Sequence, residues 1–351
     1  MGSVAEANPH RAAAWLPPTL PQPLVRPMVF DMPWSGKTSE RRSVLHFWRD
    51  ALTWYGTVTP LVMPQVLLFG LYGLLIGLVH EWHDWPGLQS GPVEFTAAFL
   101  ALLLVLRTNS GYERWWEARK LWGGIVNQSR NLAISALAYG PRDSEWRERF
   151  VRWTAAFSHV SRRSLRGERV LPELLPLLRD EAAVERLTRA QHMPSFVAHA
   201  LAGLLREAIE HGELDRVALL AVDKERAQLI DHVGGCERIL KTPLPRVHTV
   251  KLRRFILLYL LGLPIAVVGQ LWWLPGLVTA LVAYPLLAID QIAVQLENPF
   301  SPKNLSHLPL DTICETIEEN LLALLEEEAA LPMQPPWGRM PHSPQPRHTD
   351  G

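Results

Sequence analysis

Side chains with chemistry to offer are scattered in this sequence. The densest group is His80-Glu81-Trp82-His83-Asp84-Trp85, where His80 and His83 stand three apart and share a helical face with Asp84 nearby, a geometry compatible with a metal ion. The run is not His-Glu-x-x-His, which needs two residues between the glutamate and the second histidine. Histidine and tryptophan beside an apolar stretch are commonly membrane-interface residues, so no metal is assigned here. His159, His192, His199, His211, His232 and His248 are dispersed, and solvated or capping positions account for most of them. A nucleophile elbow, a phosphate loop and a specific metal-ligand cluster are all missing, so an enzyme is not expected. Cys236 and Cys314 fit no disulfide framework and read as small buried hydrophobes on a reducing side of a membrane.

A different kind of chemistry lies between Phe95 and Asn131. The stretch from Phe95 to Leu106 is apolar, and the chain then turns abruptly polar at Arg107-Thr108-Asn109-Ser110 before a helix-like run of charge and tryptophan. Twelve residues give a helix of about 18 Å, whereas a bilayer core needs about 20 residues. A segment this short, with charge at its inner end, suits the interior of a membrane assembly, and we read it as lining a pore.

The elements that must position this stretch follow from hydropathy and charge. The 351 residues carry 35 basic and 35 acidic side chains, so no global charge points to nucleic acid. A mean hydropathy near zero averages very apolar blocks with very charged ones. Residues 1–38 are Pro-rich, form an arm without periodicity and contain no apolar signal-peptide core. A helix is expected from about Ser39, its Arg41, Arg42 and Arg49 interleaved with Phe47, Trp48, Trp54 and Tyr55, lying at the membrane interface. Thr59 to Val79 is uncharged and about long enough to cross, with Gly73 and Gly77 in a small-residue face beside Gly70. Residues 39–106 thus hold the amphipathic helix and membrane helices 1 and 2.

Residues 107–254 read as a cytosolic helical region, with helical spacing over Glu113–Ala138, Asp143–Arg163, Leu171–Ala190, Ser195–Glu210 and Leu214–Lys241. Gly234-Gly235, then Pro243 and Pro245, break or end the last of these. Residues 255–290 form a hairpin of two further spans, Phe255–Gln270 and Gly276–Ile289, joined by an aromatic turn. Residues 291–330 supply a loop and a final helix with Asp311 as N-cap, and 331–351 a disordered Pro-rich tail. The 80–94 loop and the 270–275 turn contain no Lys or Arg, which places both termini and the long middle region in the cytoplasm. The fold class is therefore an all-α, multi-pass membrane protein with four membrane helices and a cytosolic helical body.

Three separated blocks carry a family resemblance. LVLRTNSGYERWWEARKLWGGIVNQSRNLA, CERILKTPLPRVHT and LENPFSPKNLSHLPLDTICETIEENLL occur in the same order as, and are similar to, blocks of the bestrophin ion channels, particularly the bacterial homologues. The resemblance runs from about Phe30 to Leu325. It implies a homopentamer in the lipid bilayer around a single central pathway for inorganic ions. Counting back from Arg114 in the motif Arg114-Trp115-Trp116 places the family's hydrophobic neck at Ala98, Leu102 and Leu106, four apart and on one helical face. The second, cytosolic aperture falls on Leu244. Rings of apolar side chains gate by size and dewetting. Ala98 is smaller than the bulky residues usual at its level, so the outermost ring is wide or unconstricted.

Around the pathway, Asn109 stands one turn below Leu106, and Arg107 and Arg246 tilt the expectation towards chloride or other anions if they face the lumen. A cation-conducting homologue and a membrane scaffold are the alternatives. Glu113, Arg114, Glu117 and Arg119 are spaced for pairing, while Trp115, Trp116 and Trp122 suit the junction between membrane and cytosolic layers. In animal members an acidic cluster after Asn-Pro-Phe clasps calcium. Here Asn298-Pro299-Phe300 is followed by Ser301-Pro302-Lys303-Asn304 with no carboxylate until Asp311, so no calcium cofactor is expected.

Overall fold

A computed structural model describes residues 44–83, 90–268 and 272–330. The described residues divide into two units between Thr53 and Trp54. In the first, α1 (Val44–Ala51) carries exposed Phe47 and Trp48 and closes through Thr53, whose hydroxyl donates to the Arg49 carbonyl. The expected start at Ser39, the N-terminal arm and the tail after Pro332 lie outside the described residues, as do Asp84 and Trp85.

The second unit is all-helical over its described residues: α2 (Thr59–His83), α3 (Ser90–Tyr139), α4 (Ser144–Arg166), α5 (Leu174–Leu178), α6 (Glu181–Arg189), α7 (Met193–Glu210), α8 (Arg216–Lys241), α9 (Arg246–Val267), α10 (Leu274–Glu297) and α11 (Leu310–Ala330). Two apolar cores organise them. One gathers Val62, Leu100, Leu104, Leu252, Ile256 and Ala283 from α2, α3, α9 and α10. The other is larger and joins the later part of α3 to α4–α8 and α11 around Trp122, Phe150, Phe157 and Leu201. α3 runs through both.

At 50 residues, α3 is about 75 Å long. The polar Arg107–Ser110 step does not interrupt it. Thr108 and Ser110 return their hydroxyls to the Leu104 and Leu106 carbonyls at 2.9 and 3.0 Å, so the change of polarity is absorbed inside the helix. The boundary expected between a membrane helix and a separate helix from Glu113 is therefore a change of surroundings along one rod.

The small-residue face of α2 packs on α10. A Cβ added at Gly73 would lie 2.7 Å from the Pro275 carbonyl oxygen and 2.9 Å from Thr279 Oγ1, and one at Gly77 would collide with the Trp272 carbonyl. Only glycine permits this approach, as helix pairs in lipid favour. α2, α3 and α10 are long and apolar enough to cross a membrane. In α9 the cations Lys251, Arg253 and Arg254 precede the apolar run from Phe255 to Val267, and the expected end of that span, Gln270, lies outside the described residues. α10 also continues to Glu297, past the expected end at Ile289.

Other departures have local causes. The helix expected over Leu171–Ala190 is two, because Arg179 adopts a left-handed φ of 54° and Asp180 then caps α6 through the Ala183 amide. Gly234-Gly235 does not end α8; Gly235 lies under the Leu121 side chain, and the helix stops at Lys241 before Pro243. Asp311 lies in the first turn of α11, and its carboxylate is committed to arginines of α4.

Candidate ion pathway

The face of α3 opposite the cores is open. Ala98, Leu102 and Leu106 all lie on it, with Leu102 57% and Leu106 53% exposed, while Leu100 and Leu104 between them are buried. Spacing of four residues sets this division, since neighbours at i+2 fall on the other side of a helix. Asn109 continues the exposed row, followed by Glu113, Trp116 and Lys120. Leu244 is half-buried in the connection between α8 and α9, and Arg246 is exposed at the start of α9.

Arg107 departs from the expected lumen-facing placement. Its side chain is 4% exposed and points back into the helix packing, where Nη1 lies 2.8 Å from Asp290 Oδ1 and Nη2 3.6 Å from Glu297 Oε1. One residue after Leu106 is a rotation of about 100° around the helix, which carries the side chain off the open face. The sign preference drawn from Arg107 facing a lumen loses that support.

The motif residues tie α3 to its neighbours. Arg114 donates to the carbonyls of Ile239 and Thr242 at 2.5 and 2.7 Å and, through Nε, to Glu297 at 3.3 Å. One guanidinium thereby satisfies the carboxyl ends of α8 and α10, where unpaired carbonyls and the helix dipole favour a cation. Trp115 Nε1 donates to the Ser306 carbonyl at 2.7 Å, and Trp122 is fully buried. Trp116 instead stays on the open face, stacked on Tyr112. Glu117 pairs with Arg238 of α8 at 2.5 Å, a partner on another helix that spacing along α3 does not reveal.

The loop after α10 is held by its own polar groups. Asn298 Oδ1 accepts from the Phe300 amide at 3.1 Å, Asn304 Nδ2 donates to the Asn298 carbonyl at 2.8 Å, and the Leu308 amide donates to the Pro299 carbonyl at 2.8 Å. Phe300 is fully buried. Beyond it Asp311 is gripped by Arg166 at 2.7 Å and Arg162 at 2.9 Å. Hydrogen bonding from Arg166 holds its carboxyl below the usual range. Among the described residues no three His, Cys, Asp or Glu side chains converge as a metal site.

Among the histidines, His159 is buried, with Nε2 2.7 Å from Glu318 of α11, and burial lowers its pKa. His192 caps α7 by accepting from the Ser195 amide at 3.1 Å. Burial pushes both thiols, Cys236 and Cys314, up to about 12.

Fold, helix lengths and apolar surface define an all-α, multi-pass membrane protein. Residues 37–323 match the family described as bacterial/fungal bestrophin protein, and the chain belongs to that family. It is 31% identical over 300 residues to a voltage-dependent anion channel-forming protein of Synechocystis sp., covering 84% of this chain and 95% of that one. A protein of the same description from Nostoc sp. is 33% identical, with 79% and 91% covered. Among solved structures, a bacterial bestrophin homologue from Klebsiella pneumoniae superposes with a TM-score of 0.69 at 27% identity, over 76% of this chain and 98% of that one.

Proposed function

We propose that this protein is a homopentameric ion channel of the bacterial inner membrane with both termini cytoplasmic, conducting chloride or other anions through one central pathway. The observation that carries the proposal is the open row Ala98, Leu102 and Leu106 on a long helix whose opposite face is buried. A monomer leaves that apolar row uncovered, whereas five copies around an axis turn it inward as a neck that gates by dewetting. Leu244 forms the second ring at the cytosolic aperture, and Asn109 offers amide dipoles below the neck. The anion assignment draws on the names of the Synechocystis and Nostoc relatives and on exposed Arg246. Conduction is independent of calcium at the loop after α10, because the carboxylate that follows it, Asp311, already has two arginine partners.

Purified protein in planar bilayers under a potassium chloride gradient tests this. The expected reversal potential moves towards that of chloride, and Leu102→Ser raises the flux by hydrating the neck. A shift towards potassium overturns the anion assignment. Flux indifferent to substitution at both Leu102 and Leu106 overturns the neck.

A further inference from the structure

Arg107 and Arg114 are seven residues apart on α3, and Asp290 and Glu297 are seven apart on α10. The spacing is two turns, about 10.5 Å along each helix. The helices run parallel here, with Arg107 against Asp290 and Arg114 on the Glu297 carbonyl. Gly111 lies between the two arginines, and a Cβ there would be 3.3 Å from the Ala293 carbonyl oxygen and 3.2 Å from Leu296 Cβ. Two arginine rungs, one on a carboxylate and one on a main-chain carbonyl, therefore flank a close backbone approach. The upper rung is deep: Arg107 and Asp290 are 4% and 9% exposed, and Arg253 of α9 reaches the second Asp290 oxygen at 3.0 Å.

This rung is poorly suited to a purely stabilising part. The 2.8 Å contact is a charge contact without hydrogen-bond alignment, and all three Arg107 nitrogens lack a hydrogen-bond acceptor. Buried ion pairs are weak sources of stability, and their best-attested use is to fix register. Slipping α3 along α10 would leave Asp290 buried without Arg107. Leu106 precedes Arg107 directly, so whatever fixes Arg107 fixes the azimuth and height of the open row.

We propose that Asp290 is a positioning residue for conduction: through Arg107 it sets the register of α3 against α10 and so the placement of Leu102 and Leu106 in the neck. The proposal rests on the channel reading above. Its test uses two readouts on full-length protein in bilayers. One is single-channel open probability. The other is the rate at which a thiosulfonate reagent modifies Leu106→Cys, which does not require conduction; Cys236 and Cys314 are buried and do not compete.

Asp290→Asn is expected to change open probability and modification rate by at least about fivefold, the lower end of measurable coupling between sites. Asp290→Glu is expected to restore both to within about twofold, as rescue by the retained charge. Unchanged open probability and rate in folded Asp290→Asn overturn the proposal, as does a Glu variant no better than Asn. Should Asp290→Asn alone not be recovered folded, the doubly neutral pair Arg107→Gln with Asp290→Asn, which leaves neither partner as a lone buried charge, decides. A modification rate altered by at least about fivefold supports the proposal, and the original rate overturns it. An unsubstituted protein that passes no ions removes the channel reading and leaves the modification rates to judge the register.

Discussion

Replacing Arg114 by alanine removes a side chain that joins α3 to the carboxyl ends of α8 and α10. The two shorter contacts, to Ile239 and Thr242, are hydrogen bonds from a charged donor. Such bonds contribute about 1.5–3 kcal/mol each, and partial exposure of the Thr242 contact argues for the lower end. The expected loss is thus about 3–4 kcal/mol for Arg114→Ala. Arg114→Lys is expected to lose about half of that, because an ammonium is a point charge and cannot span carbonyls on two helices as a planar fork does. Arg114→Gln falls nearer alanine. Thermal unfolding of the detergent-solubilised protein, followed by tryptophan fluorescence, gives the ranking Arg, Lys, Gln, Ala, with the alanine midpoint lower by at least about 5 °C. An alanine variant melting within a degree or two of the unsubstituted protein refutes the reasoning. So does a lysine variant that melts like arginine, which would reduce the motif arginine to a charge without geometry.

Two further outcomes rest on the packing and burial of the helices. Gly77→Ala places a Cβ against the Trp272 carbonyl, which forces α2 and α10 apart at a cost near the top of the about 1–3 kcal/mol range for overpacking. Folded yield by size exclusion should fall sharply, while Gly262→Ala, with open space around it, should leave it unchanged. For pH, burial holds His159 below its ordinary value of 6.5. The unfolded chain then binds the proton more readily, so its contribution is complete above pH 6.5 and is lost as pH falls through the folded value. Asp311, held below 3.8 by Arg166, extends the loss to lower pH. Unfolding midpoints should decline from pH 7 towards pH 5, and His159→Gln should flatten the decline; a His159→Gln profile parallel to the unsubstituted one refutes the assignment.

Much of the architecture is legible in the sequence. Helical periodicity placed α4, α7 and α8, and the hydropathy of Thr59–Val79 placed α2, because these signals depend on near neighbours along the chain. The glycines of α2 announced a close helix contact without naming α10 as the partner. Two boundaries misled for a definite reason. The polar step after Leu106 looked like an end of a membrane helix, yet hydroxyls of Thr108 and Ser110 satisfied themselves within α3. Gly234-Gly235 looked like a break, yet Leu121 filled the space it left.

The sequence by itself determined that this is a helical membrane protein, and three separated blocks tied it to the bestrophins; counting from the family motif then put the apolar row at Ala98, Leu102 and Leu106. Helical and apolar character is carried by residues a few positions apart. Only the tertiary structure decided what the charges do. It sent Arg107 inward to Asp290, Arg114 to the ends of two helices, Glu117 to Arg238 and Asp311 to Arg162 and Arg166. An ion pair is made by whichever opposite charge the fold brings within about 4 Å. Chain spacing cannot rank partners more than a hundred positions away, so the same arginine reads as a pore charge in the sequence and as a strut in the structure.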